Sequence, residues 1–334
     1  MNGRNLRLLV VLLVPAAALG GVSRTTPLPL PGGKGGIGFD DLVYSKELDK
    51  ILVPAGRTGR LDLVDPKTLE IAAIAGFTSA SRVRGGHGQG TTSADSGAGL
   101  IFASDRDLQT VTIVDPQQKK ILGSVPLGGS PDYVRWVDPL REVWVTEPDR
   151  KVIEHFKLET RGAPRLIRGG IVEVEDGPES LVIDGARGRA YTHTWHDATV
   201  AIDLEAHKQV ARWQNGCAGA RGIALDEARG LLFVGCQEGK AVVLDVAHGG
   251  KRAGVVTTGK GVDIIAYNPS LRHLYVPGGE SATMTVLAVG AGGTLTVIET
   301  VPTAAGSHCV AADPLGHAYL CDPAEGRLLL FQDK

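Results

Sequence analysis

One unit recurs along the chain. Gly38-Phe39-Asp40-Asp41-Leu42-Val43-Tyr44, running on to Ile51-Leu52-Val53-Pro54, aligns without a gap with Gly261-Val262-Asp263-Ile264-Ile265-Ala266-Tyr267, running on to Leu274-Tyr275-Val276-Pro277. Copies recur at Pro131-Asp132-Tyr133-Val134, Pro178-Glu179-Ser180-Leu181, Ala220-Arg221-Gly222-Ile223 and Ser307-His308-Cys309-Val310, with a looser one at Gly86-His87-Gly88. Each copy continues into a third apolar run, such as Val111-Thr112-Ile113-Val114-Asp115 or Ala241-Val242-Val243-Leu244-Asp245. These short β-branched runs, bounded by turn residues, read as strands. A fourth run follows in six copies, as in Lys120–Val125.

Four strands every 40–50 residues, seven times over, predict an all-β, seven-bladed β-propeller of four-stranded antiparallel blades. A lone blade leaves two faces unburied, and stacking blades in a ring covers them. The chain ends at Lys334, just after the third strand of the last copy, so that blade lacks an outer strand. Val22–Leu30 is the expected donor that closes the ring, and Pro27 and Pro29 suit an outermost edge.

Composition agrees with this. The 334 residues include 45 glycines spread between apolar runs, with 43% hydrophobic and 22% charged residues and a formal charge of −2. That balance argues against a disordered chain, a polybasic nucleic-acid binder or a multi-span membrane protein. Arg4 and Arg7 precede an apolar run from Leu8 to Leu19 and then small residues, the pattern of a secretory signal over residues 1–21. The run is short for a bilayer helix, which needs about 20 apolar residues. The expected mature chain is a single domain over 22–334, periplasmic or secreted, monomeric, with no membrane span. Without Arg4 and Arg7, 33 basic residues face 37 acidic ones.

Export permits two disulfides among four cysteines. The repeat register sets Cys309 against Cys321 across one hairpin and Cys217 near Cys236 at one end of another unit. Metal ligation and free buried thiols are the alternatives.

The units resemble YVTN-type (quinoprotein amine dehydrogenase-like) propeller repeats, a bacterial secreted or periplasmic class. The likeness rests on turns Asp138-Pro139, Asn268-Pro269 and Asp313-Pro314, the aromatic-Val strand (Leu274-Tyr275-Val276) and a third strand ending in Asp. It covers about residues 22–334. The second copy departs through a Gly/Ser/Thr-rich stretch, Gly88–Gly99, and the third and sixth lack the aspartate.

In such propellers the start of each inner strand lies at one mouth of the central channel. The resemblance therefore implies that Asp40, His87, Asp132, Glu179, Arg221, Asp263 and His308 gather there. His87, His308 and Asp40 come from neighbouring copies and are a candidate transition-metal set that would take a divalent ion; the alternative is a water-filled channel whose charged groups are simply solvated and paired, and the residues themselves name no cofactor. Arg221 can grip an anion, and Glu179 or Asp132 can act as general base. Loops between second and third strands should surround the same mouth, adding His193, Trp195 and His196 as ligand contacts. Arg82 and Arg84 are a weaker anion-attracting pair. The remaining histidines (His155, His207, His248, His273 and His317) read as surface.

No GxSxG elbow, P-loop lysine, HExxH or CxxCH occurs. The expected function is binding of a small ligand, metal ion or protein partner at the mouth. The resemblance also implies an alternative, a lactonase-like hydrolase, although the carboxylate/asparagine ligands of metal-dependent lactonases are not reproduced.

Overall fold

The computed structural model describes residues 25–84, 86 and 88–333, so the signal expected over residues 1–21 lies outside the described residues. The chain is a seven-bladed β-propeller: seven four-stranded antiparallel sheets, with almost no helix. In blade one the strands run from the axis outward as Val43–Ser45, Lys50–Pro54, Thr58–Val64 and Ile71–Ser79. We call these positions inner, second, third and outer. Five further blades repeat the order along the chain.

The seventh blade takes its inner three strands from Val310–Ala312, His317–Asp322 and Arg327–Gln332. Its outer strand is the N-terminal Thr26–Pro29, paired antiparallel from Thr26↔Leu330 to Pro29↔Arg327. The ring closes as expected. Both prolines sit on the outermost strand, where one edge needs no partner.

Burial follows from stacking. The second strands lie between two neighbouring blades, so Ile51-Leu52-Val53, Val143-Trp144-Val145 and Leu274-Tyr275-Val276 are fully buried on both faces. Outer strands have one dry face: in Lys120–Pro126 exposed and half-buried residues alternate. The aspartates that end four third strands act in turns. Asp65 accepts the amides of Lys67 and Thr68, Asp115 those of Gln117 and Gln118, Asp203 that of Ala206 and Asp245 that of His248. This motif therefore specifies turns by Asx hydrogen bonding.

Blade two corrects the register. Its inner strand is Ala94–Gly97, inside the Gly/Ser/Thr-rich stretch Gly88–Gly99 where this copy departs from the repeat. The valine-like position of the second strand pairs with Val134 in blade three (Val145), Ile223 in blade five (Val234) and Ala94 in blade two (Ala103). Two residues before these stand Asp132, Arg221 and Thr92. Thr92, not His87, thus holds the repeat position, and Thr92 is fully buried. The cause is steric. A Cβ on Gly97 would lie 2.3 Å from the Trp136 ring, which also stacks on Phe102 at 5.4 Å. Only glycine fits at 97 beneath that indole, and the rest of the strand is Ala94, Asp95 and Ser96, so the apolar signature of an inner strand is lost.

Cys217 is bonded to Cys236 and Cys309 to Cys321, with Cα separations of 6.2 and 5.6 Å.

Candidate functional site

The turns between second and third strands and the residues leading into the inner strands enclose a cavity of about 580 Å³ at one end of the central channel. Asp132, Glu179, Arg221, Asp263 and His308 line it, together with Trp195. Of the other candidates, Asp40 is buried behind this wall, and His87 lies outside the described residues.

Two arginines organise the wall. Arg106, in the turn after blade two's second strand, bonds Asp40 at 2.8 Å and also Asp132. Burial opposes its charge, but Asp132 and Asp40 more than offset this and raise its pKa. Arg221 pairs with Glu179 at 2.5 Å, and its guanidinium lies 5.5 Å from the centre of the Trp195 ring. Burial pushes Glu179 up to about 6, Arg221 works against this, and Asp263 and Asp40 add to the rise. Trp195 itself is 53% exposed.

Asp149 and Glu280, from the corresponding turns of blades three and six, complete the charged lining. Among the described residues the wall therefore carries five carboxylates (Asp132, Asp149, Glu179, Asp263 and Glu280) against two guanidiniums (Arg106 and Arg221). The negative field reaches inward. Tyr133 is held well above its ordinary pKa by burial and by Asp263, Asp41, Asp40 and Asp132.

Beneath the mouth, Arg135 bridges three blades. Its Nη1 and Nη2 donate to Asp41 at 2.6 and 3.0 Å, and its Nε donates to the Leu181 carbonyl at 3.0 Å. Asp41 also accepts from Ser93 Oγ at 2.6 Å. A second cavity of about 240 Å³ follows the inner strands past Tyr133, Arg135 and Ile264.

His193 does not reach the cavity. It is fully buried, with Nδ1 3.0 Å from Thr199 Oγ1 and Nε2 3.1 Å from the Gly222 carbonyl, and burial pulls it down to about 4. It is a neutral tie between blades four and five. His196 is outside the lining, an exposed ring 3.0 Å from Asp176. Nδ1 of His308 lies 2.6 Å from the Gly306 carbonyl and Nε2 lies 3.1 Å from the Phe39 carbonyl. With Asp40 held by Arg106, these two side chains are engaged with protein partners and do not converge as ligands. A metal there would have to displace those bonds.

The surface reading of the outer histidines holds for His248, whose side chain is 79% exposed, and fails for His155, which is 7% exposed. His273 and His317 are partly buried, bonded to Asp333 and Asp313. Of Arg82 and Arg84, neither lines the mouth, and Arg84 is 3.7 Å from Asp107. Sequence reasoning missed Arg106, Asp149 and Glu280. All three stand in the turns already expected around the mouth, where a second repeat series could have been aligned.

No family model matches the chain, and no curated protein matches it. Solved structures do. A chain in the crystal structure of the mitotic checkpoint complex superposes with a TM-score of 0.75 at 14% identity, covering 99% of each chain. Kuenenia stuttgartiensis hydrazine synthase gives 0.72 at 13% identity, over 91% of this chain and 97% of that one. The Cps50 (Swd1) β-propeller domain of Myceliophteria thermophila gives 0.71 at 10% identity, over 92% and 99%. At such identities the likeness shows the fold alone.

Proposed function

We propose that this propeller is an exported binding or interaction protein of the YVTN type whose channel mouth takes up a positively charged group, either a small organic cation or a basic side chain of a protein partner. The observation that carries this is the five-to-two excess of carboxylates around a cavity walled on one side by an exposed indole. Arg106 and Arg221 are already neutralised by Asp40, Asp132 and Glu179. An incoming cation meets the carboxylates of Asp149, Asp263 and Glu280 beside the exposed indole of Trp195, a lining that favours ammonium and guanidinium groups. Export is supported by the basic-then-apolar start of the sequence and by the two disulfides.

Calorimetric titration with spermidine, an arginine-rich peptide and citrate tests the charge preference. Binding of a cation, weakened in Asp263→Asn and Glu280→Gln, supports the proposal. Preferential binding of citrate overturns it.

One observation favours a second reading, hydrolysis of a lactone or ester. Glu179, held near 6 beside a guanidinium, is poised as a general base close to neutral pH. Arg221 would then polarise the carbonyl while Glu179 takes the proton of the attacking water. Lactone turnover that disappears in Glu179→Gln would favour this reading over simple binding.

A further inference from the structure

We propose that Glu142, His155 and His207 form a binding site for a divalent transition-metal ion of the Zn2+ type at the junction of blades three and four. The site lies at the face opposite the mouth. Glu142 opens a second strand, Glu142–Glu147, whose far end turns into the mouth-lining Asp149. His155 stands on the next strand out, Val152–Glu159, and His207 lies in the turn before Lys208–Gln214 of blade four.

Three donors of the kind that divalent first-row ions prefer converge here. Glu142 Oε2 lies 2.9 Å from His207 Nε2 and 3.6 Å from His155 Nδ1, and one donor atom from each residue falls within 4.8 Å of the others. Trp144 Nε1 donates to the same carboxylate oxygen at 3.0 Å, an outer contact that fixes its direction.

His155 points to a ligand independently of that clustering. It is 7% exposed, yet its Nδ1 has no hydrogen-bond partner. A buried nitrogen left without a partner is costly. The outer strand keeps its side chains away from this ring: a Cβ on Gly169 would lie 2.6 Å from Nδ1, and one on Gly170 3.1 Å from Nε2. The ladder shifts register between His155 and Phe156, which leaves Gly169 as the unpaired extra residue of the outer strand beside this ring.

The two imidazoles stack 4.0 Å apart at 16°. An ion must lie close to both ring planes, so loading opens the stack. His207 is the ring that turns. It sits at a reverse turn with φ of 50°, and a quarter of its side chain is exposed. Water completes the coordination.

The test is titration of the full mature protein, freed of metal, with Zn2+ by calorimetry and with Co2+ by visible absorption. The expected result is one Zn2+ per chain and a Co2+ spectrum of low-coordinate, nitrogen-and-oxygen type. His207→Ala and Glu142→Gln should each weaken binding about tenfold or more. Both should unfold cooperatively like the parent, which separates loss of a ligand from loss of fold. His308→Ala, at the mouth, should leave the titration unchanged. Absence of stoichiometric binding, or binding that survives His207→Ala and disappears in His308→Ala, overturns the proposal. Either result leaves cation uptake at the mouth to its own test.

Discussion

Replacing Arg135 with leucine removes the side chain that holds blades one, three and four together at the axis. Three bonds are lost across blades: two to Asp41 and one to the Leu181 carbonyl. So is the stacking of the guanidinium over the Tyr133 ring at 5.1 Å. Asp41 is left 2% exposed with Ser93 Oγ as its remaining side-chain donor. The dominant cost is that stranded carboxylate, because breaking a buried pair from one side costs about 3–5 kcal/mol. At ~2.1 cal/mol/K per residue, a ring of roughly 310 residues has an unfolding entropy near 0.65 kcal/mol/K, so Tm should fall by about 5–8 °C.

Urea denaturation and calorimetry of Arg135→Leu measure the loss. The decisive comparison is the double variant Asp41→Asn, Arg135→Leu. Removing the stranded charge should recover at least ~1 kcal/mol, since apolar or neutral replacement of both partners is far cheaper than removing one. A single-variant loss below ~1 kcal/mol, or a double variant less stable than the single, would refute the reasoning. Either would mean that water reaches Asp41 along the channel and screens it.

Acid should expose the neutral tie between blades four and five. His193 titrates near 4 when folded, against about 6.5 unfolded. Between those values the unfolded state binds more protons, so stability falls as pH drops, by roughly 3 kcal/mol in all. His193→Asn should lack this part of the acid slope when denaturation is followed from pH 7 to 4; an unchanged slope excludes the assignment. Glu179 has the opposite sign. Its raised pKa makes the folded state bind more protons between about 4.5 and 6, so its contribution falls as pH rises through that window, and Glu179→Gln should remove it. Deleting Val22–Leu30 should unpair the edge of Arg327–Gln332 and produce a lower Tm with dimers or aggregates by light scattering; a monomer of parental stability would show that the closing strand is dispensable. Denatured, unreduced protein should show no reactive thiols, and reduction should release all four. Loss of the 19- and 12-residue closures should cost about 3 kcal/mol each, and free thiols before reduction would contradict the pairing.

The ring was legible in the sequence because each second strand is buried between two neighbours and must be apolar throughout. Such runs stand out at a fixed interval, and they gave the blade count and the closing strand. The register failed where packing inverted that signal. Against Trp136 the inner strand of blade two ends in Gly97, and the strand Ala94–Gly97 carries no large apolar residue, so its sequence reads as loop and the repeat position at Thr92 is hidden. The mouth was read from one series of positions, and two series build it. Asp149 and Glu280 come from turns whose sequences share no motif, so they emerge only when each turn is counted from the end of its second strand. Taken alone, the first series (Asp132, Glu179, Arg221, Asp263 and His308) is mixed in sign and suits an anion or a metal equally well. Adding the second series leaves the two guanidiniums outnumbered and engaged, and moves the balance toward a cation. His155 and His207 of blades three and four read as separate surface residues for a different reason. Glu142 and His207 are 65 positions apart, and no local spacing joins them. Only the contact between consecutive blades does, which is why chemistry at blade junctions has to be sought in the assembled ring.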